Sequence, residues 1–153
     1  MNIIEKILAR AASRDQVSPD DVIFAKIDKV MIHDVSGPGV IKVFDKLKKQ
    51  GINVDKLWDS SKVWVAEDHF VPSVDKISAE NIVKLQNFTK NYGIEKHFKY
   101  GMGQYGICHT LSHEEALVLP VRYMWVEILT LTLLVLWVPL HVVWAIPILH
   151  MFN

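Results

Sequence analysis

Two histidines in this sequence directly neighbour an aspartate, and a third histidine is a further candidate for chemistry. His33 is followed by Asp34, Asp68 is followed by His69, and His109 comes later in the chain. A carboxylate can orient a neighbouring imidazole, and an imidazole can give or accept a proton near neutral pH. These residue types are therefore candidates for general acid and base chemistry.

The surrounding pattern predicts that both pairs follow β-strands. Residues 22–32 are β-rich, residues 63–66 form a short apolar run, and residues 94–100 predict a third strand. Helices are predicted between the strands, so the expected fold class is α/β, a layered domain with a mostly parallel sheet. Ligands bind such sheets at the carboxyl ends of the strands, where both pairs fall and where we expect His109 to lie nearby.

Three helices are predicted from apolar residues that recur with helical spacing. They cover residues 2–12, 40–50 and 78–92, and Ser78 is the expected cap of the third helix. Residues 37–39, Gly-Pro-Gly, are interpreted as a turn that breaks the backbone before the second helix.

The paired residues also have simpler interpretations. An Asp-His pair that follows a strand often serves only packing or the surface. Cys108 beside His109 could form a nucleophile and its base. Residues 107–109 are expected to be extended, however, and adjacent side chains would then point to opposite faces, which argues against that pairing.

Composition narrows the class of protein. The 153 residues have a formal net charge of zero, so nothing favours a nucleic acid as partner. The single cysteine, Cys108, excludes an internal disulfide and a zinc site built on several thiolates. Glu5, Lys6 and Arg10 interrupt any signal-peptide core, so the expected localisation is cytoplasmic.

The composition changes abruptly after Pro120. The sequence has 17 Lys and Arg and 17 Asp and Glu residues, but only Arg122 and Glu127 follow that proline. We therefore expect a separate hydrophobic, helical tail over residues 121–153. Its uncharged stretch 128–149 is long enough to span a bilayer, although two prolines and a histidine interrupt it.

Six short motifs occur in the order found in the aconitase superfamily. They are residues 4–11 (IEKILARA), 17–21 (VSPDD), 33–38 (HDVSGP), 68–72 (DHFVP), 106–109 (GICH) and 117–120 (LVLP). Over about residues 1–120 the chain resembles the N-terminal part of the large subunit of 3-isopropylmalate dehydratase and homoaconitase. The resemblance implies an incomplete aconitase-type domain. It also implies a hydro-lyase that isomerises a small hydroxy acid by removing and re-adding water, in leucine or lysine biosynthesis.

The resemblance implies roles for individual residues as well. Asp68 would orient and charge His69, which would protonate the departing hydroxyl, and His109 would be a second active-site histidine. Three further residues are expected to bind the substrate carboxylates: His33, Asp34 and Ser36.

A cofactor and a partner are implied too. In the family a 4Fe–4S cluster supplies a Lewis-acid iron, and a separate small subunit carries a swivelling domain. The family's cluster ligands are three cysteines far downstream, and Cys108 does not occupy a ligand position, so no metal ligand is expected here. The chain alone is expected to be poorly soluble and inactive. Whether the substrate is isopropylmalate, homocitrate or citrate is left open.

A shifted reading frame offers another explanation of the tail. Loss of one nucleotide after the Pro120 codon would make every later codon straddle two true codons. Three dipeptides then force a glycine where the family has one: Trp125-Val126, Trp137-Val138 and Trp144-Ala145. We therefore prefer out-of-frame translation of residues 121–153. Two alternatives stay open. One is a small cytosolic α/β domain anchored to a membrane by this tail, and the other is a soluble interaction module that keeps the N-terminal part of the chain but has no catalytic activity.

Overall fold

The computed structural model describes residues 1–119, 122–126 and 140–143. The helices in this part of the chain are α1 (Ile3–Ala11), α2 (Gly37–Lys49), α3 (Lys76–Asn91) and α4 (Cys108–Glu114). The strands are β1 (Lys29–His33), β2 (Val63–Ala66), β3 (Lys96–Phe98), β4 (Tyr123–Val126) and β5 (Leu140–Val143). A short 3-10 helix, Ser60–Lys62, leads into β2.

All five strands lie in one parallel sheet, in the order β3-β2-β1-β4-β5. The register places His33, the last residue of β1, beside Ala66, the last residue of β2. Parallel neighbours end at the same edge of a sheet, so the residues that follow β1 and β2 share that edge. The predicted α/β class with a mostly parallel sheet is confirmed.

Alternate residues of the central strands face two different cores. On one side, valine and isoleucine side chains of β1 and β2 pack with Phe44 of α2 and Leu85 of α3. On the other side, Met31 and Trp64 pack with Leu111 of α4. Parallel strands are usually buried on both faces, because the connecting helices cover them.

The second helix begins earlier than predicted. Residues 37–39 are not a separate turn but the first turn of α2, where proline is tolerated because its missing N–H has no partner there. Gly37 packs directly on α3: a Cβ added at this position would lie 2.7 Å from Leu85 Cδ1. The glycine therefore permits the close approach of the two helices.

The cap of the third helix is also different from the prediction. Asp75 is the N-cap of α3, and its Oδ1 accepts the Ser78 N–H at 2.7 Å. Ser78 lies three positions later, and its side chain completes a capping box with the backbone of Asp75. The first helix begins as predicted, because Asn2 accepts the Glu5 N–H at 2.9 Å.

Two predicted strands are shorter in the structure. β1 begins only at Lys29, because the residues before it do not join the sheet, and Val22 and Phe24 are left largely exposed. β3 covers Lys96–Phe98 instead of residues 94–100.

The tail differs from the helix that we expected, in so far as it is described. Its two described segments are the strands β4 and β5, and β4 pairs with the edge of β1 that β2 leaves free. Pairing satisfies backbone groups that an isolated sheet edge would expose. The rest of the predicted tail, with residues 120 and 121, lies outside the described residues. Among the described helices, none combines the length and the apolar character needed to cross a bilayer.

Candidate active site

The predicted chemistry-bearing residues meet at the carboxyl edge of β1 and β2. His33 ends β1 and Asp34 follows it, whereas Asp68 and His69 lie just beyond the end of β2. His109 lies in the first turn of α4, which packs under the same edge. The short segments after the strands are held together mainly by two carboxylates.

The first carboxylate is that of Asp34, which is completely buried. It accepts the backbone N–H of His69 at 3.0 and 3.2 Å and the backbone N–H of Phe70 at 2.6 Å. Its Oδ1 also lies 3.4 Å from Nδ1 of His69. Asp34 therefore ties the end of β1 to the loop that carries His69.

The second carboxylate is that of Asp68, whose side chain is 5% exposed. Its Oδ1 lies 2.7 Å from Nδ1 of His69, and its Oδ2 accepts the backbone N–H of Cys108 at 2.7 Å. A carboxylate only accepts hydrogen bonds, so Nδ1 of His69 carries the hydrogen and Nε2 is the nitrogen left to exchange a proton with a substrate. The same carboxylate holds the start of α4, and with it His109.

The buried ring of His33 packs against the ring of His69. Its Nδ1 accepts the Val35 N–H at 3.2 Å, and its ring stacks on the His69 ring with centroids 4.7 Å apart and planes 23° apart. This stacking restricts the His69 ring, which is itself 39% exposed. The structure thus brings His33, Asp34, Asp68 and His69 into one cluster.

Ser36 is beside this cluster but faces its own turn. Its Oγ accepts the His33 N–H at 3.2 Å and lies 3.3 Å from the His33 carbonyl oxygen. Asp34 is likewise engaged with backbone N–H groups. Binding of substrate carboxylates by these two residues therefore stays a prediction.

His109 and Cys108 occupy a helix instead of the extended segment that we expected. Burial lowers the pKa of His109 below its ordinary value, and this outweighs the opposite effect of Asp68, so the ring is neutral at pH 7. Burial, together with Asp68, raises the pKa of the Cys108 thiol well above its usual range. Its Sγ lies 3.3 Å from Nδ1 of His109, but a protonated thiol is a poor nucleophile.

Three residues of the cluster carry atoms that could bind a metal ion. Ligand atoms of His33, Asp34 and His69 lie within 4.8 Å of one another. A metal ion lies in the plane of each imidazole that binds it, whereas these two rings are stacked and nearly parallel, so their nitrogen lone pairs do not converge. This trio therefore does not fit a shared metal ion.

A 4Fe–4S cluster does not fit the residues present either. Such a cluster is held by several cysteine thiolates, and the sequence has one cysteine. Cys108 is buried and remains a thiol, in the interior core beneath the sheet.

Sequence reasoning missed a second buried polar group beside the site, formed by Glu67 and His97. Glu67 directly precedes Asp68, and its Oε1 lies 2.9 Å from Nε2 of His97. An acidic residue at the buried end of an apolar strand is unusual, and this could have drawn attention to Glu67. Nothing in the sequence pattern indicated its partner, which is 30 positions later.

These features define an α/β domain with a carboxylate–imidazole site at the carboxyl edge of a parallel sheet. No family model matches the sequence. Over 120 residues, 78% of this chain, it is 40% identical to a 3-isopropylmalate dehydratase large subunit of Caldicellulosiruptor saccharolyticus. Identity is 38% over the same share of the chain for the large subunits of Halothermothrix orenii and Thermodesulfovibrio yellowstonii.

The chain belongs to the aconitase superfamily, in the family of 3-isopropylmalate dehydratase large subunits. It spans about a quarter of the length of these relatives: the aligned part covers 26% of the first and 27% of the other two.

Proposed function

We propose that this chain carries part of the active site of a hydro-lyase that acts on a small hydroxy acid. The observation that carries the proposal is the double contact of Asp68, which binds His69 through one oxygen and the start of the His109 helix through the other. Dehydration needs one group that protonates the departing hydroxyl and another that accepts the proton removed from the neighbouring carbon. In the site, one carboxylate contacts the ring of His69 and also holds the start of the helix that carries His109.

In this proposal His69 is the acid. Asp68 holds the hydrogen of Nδ1, and the stacked ring of His33 fixes the imidazole plane, so the Nε2 proton is directed at the substrate. The carboxylate also stabilises the charged imidazole before the transfer. His109, which is neutral at pH 7, is able to accept a proton.

The names of the relatives and the family resemblance support a proposal for the substrate, the partner and the pathway. We propose a 2- or 3-hydroxy acid such as isopropylmalate as substrate, a small swivel-domain subunit as partner and leucine biosynthesis as the pathway. The iron–sulfur cluster of the family would need thiolates that the residues described here do not supply. We therefore propose that this chain alone, in a cytoplasmic setting, does not turn over substrate.

A chimera tests the proposed role. Residues 1–119 would replace the matching segment of the Halothermothrix orenii large subunit, assayed with its own small subunit for isopropylmalate dehydration. We expect activity, and we expect His69→Gln to lower kcat by about 10²–10⁴-fold, as loss of an acid–base group does. His113→Gln is the matched control, because His113 is exposed in the same region. Equal activities of the two variants would refute the role of His69.

We further propose that residues 121–153 result from translation out of frame. Glycines forced by the shifted frame and the abrupt loss of charged residues support this proposal. With a suitable choice of synonymous codons, the corrected frame can return a Gly-Gly-Asp-Ser-His-Thr segment, which in the family supplies further active-site groups. Independent genomic reads across the Pro120 codon decide the matter, and an intact frame in all of them would refute the shift. Carbonate-resistant membrane association of the chain would instead support the anchored alternative.

A further inference from the structure

Glu67 and Asp68 are consecutive carboxylates that hold different parts of the molecule. Glu67 is 2% exposed, and its Oε1 accepts the side-chain amide of Gln86 at 2.9 Å. Its Oε2 accepts the backbone N–H of Tyr100 at 3.2 Å. Nε2 of His97 lies 2.9 Å from Oε1, an ion-pair distance, although without the alignment of a hydrogen bond.

The partners of Glu67 are fixed in turn by their neighbours. Thr89 Oγ1 donates to the Gln86 carbonyl at 2.8 Å and lies 2.9 Å from Nδ1 of His97. Burial alone raises the pKa of Glu67, but the contacts from His97, Gln86 and the Tyr100 N–H together hold that pKa below its usual value. The carboxylate is therefore charged at neutral pH and is held by α3, β3 and the segment that follows β3.

Residues 100–107 connect β3 to the helix that carries His109. Gly101 and Gly103 adopt positive φ angles of 77° and 80°, and residues 100–105 are exposed. The two carboxylates hold the two ends of this connection: Glu67 accepts the Tyr100 N–H, and Asp68 accepts the Cys108 N–H at 2.7 Å.

We propose that Glu67 is a positioning residue for His109, because it holds Tyr100 at the start of the connection, while Asp68 holds Cys108, the first residue of the helix that follows. The importance of this positioning for catalysis rests on the proposed hydro-lyase function. The positioning itself does not, and it can be measured without substrate.

The chemistry explains why a carboxylate is required. Its two acceptor oxygens face the Gln86 amide and the Tyr100 N–H, with Nε2 of His97 at ion-pair distance. A glutamine at position 67 has nearly the same shape but keeps only one acceptor oxygen for the Gln86 amide and the Tyr100 N–H. Glu67→Gln therefore loosens Tyr100 or the Gln86–His97 side without leaving a cavity.

The experiment compares Glu67→Gln with Glu95→Gln in the whole chain. Glu95 is exposed and lies two positions before His97, so it controls for the loss of one charge in the same region. Amide hydrogen exchange is measured for residues 100–108, and the His109 ring is titrated by NMR. For Glu67→Gln we expect exchange at Tyr100 and Cys108 to rise about tenfold beyond any change in the core strands, with a displaced His109 titration. Glu95→Gln should change neither.

Uniform acceleration of all amides would mean that Glu67 only stabilises the fold, and unchanged exchange at Tyr100 and Cys108 would also overturn the proposal. If Glu67→Gln does not fold, Glu67→Asp keeps the charge but shortens the side chain by one methylene, which draws the carboxylate away from the Tyr100 N–H, and the same readings apply. A chimera without activity, together with a loosened connection in Glu67→Gln, would refute the proposed function but not the positioning.

Discussion

The carboxylate of Asp34 accepts the backbone N–H of His69 at 3.0 Å, although the two residues are 35 positions apart in the sequence. This contact joins the ends of two neighbouring strands through a side chain that is completely buried. It also places the His69 ring over the ring of His33, 4.7 Å away. The orientation of the most exposed histidine of the site therefore depends on a completely buried carboxylate.

Replacement of Asp34 tests this relationship. Asp34→Ala removes a buried carboxylate and leaves the N–H groups of His69 and Phe70 without the acceptor that it supplies, and we expect a loss of ~2–4 kcal/mol in the free energy of unfolding. Chemical denaturation measures this loss. Asp45→Ala, at an exposed position of α2, is the control and should change stability by less than ~0.5 kcal/mol. A similar small effect for both variants would contradict the role of Asp34.

The lowered pKa of His109 predicts how stability depends on pH. Its folded-state pKa is below its ordinary value of 6.5, so the unfolded chain binds the proton more tightly than the folded chain. The contribution of His109 is thus complete above 6.5 and is lost as pH falls through the folded-state pKa. His109→Gln, which cannot titrate, should show a shallower loss of stability between about pH 7 and pH 5. Denaturation series at several pH values compare the two proteins, and parallel curves would count against the shift.

The Cys108 thiol is predicted to be unreactive in the folded protein. It is fully buried, and burial together with the charge of Asp68 raises its pKa, so almost no thiolate forms at pH 8. We expect an aromatic disulfide reagent to react about 100-fold or more slowly with the native chain than with the chain in guanidinium chloride. Rapid reaction of the native protein would show that the thiol is accessible and would revive Cys108 as a nucleophile.

Gly37 and Gly39 form a matched pair for the packing of α2 on α3. A methyl group at position 37 would meet Leu85 Cδ1 at 2.7 Å, whereas a methyl group at position 39 has no atom within 4 Å. Gly37→Ala should therefore lower the free energy of unfolding by ~1–3 kcal/mol through overpacking. Gly39→Ala should be neutral or raise it by up to ~1 kcal/mol, because it restricts the unfolded chain. Thermal unfolding of both variants measures the difference, and equal effects would rule out the close approach at Gly37.

Much of the fold was predictable because it is encoded over short distances. The apolar run of β2 and the helical spacing of Phe44 and Leu47 correctly indicated the strand and α2. Errors arose where several local solutions compete. Residues 37–39 suit either a turn or the first turn of a helix, and Asp75 and Ser78 are both good caps.

The site was predictable only in part. The positions of the His33-Asp34 and Asp68-His69 pairs after their strands were correctly anticipated, because parallel strands deliver their following residues to one edge. The individual contacts were not. Ser36 turns to its own backbone, and the pairing of Glu67 with His97 depends on β2 and β3 lying side by side.

The residue types alone establish that this chain has acid–base groups after buried strands and a composition that breaks at Pro120, since both are properties of the order of residues along the chain. The pairing of the strands determines which carboxylate contacts which imidazole. Hydrogen bonds such as those of Asp34 and Asp68 act over about 3 Å and require alignment, so they form between groups that folding brings together from distant positions.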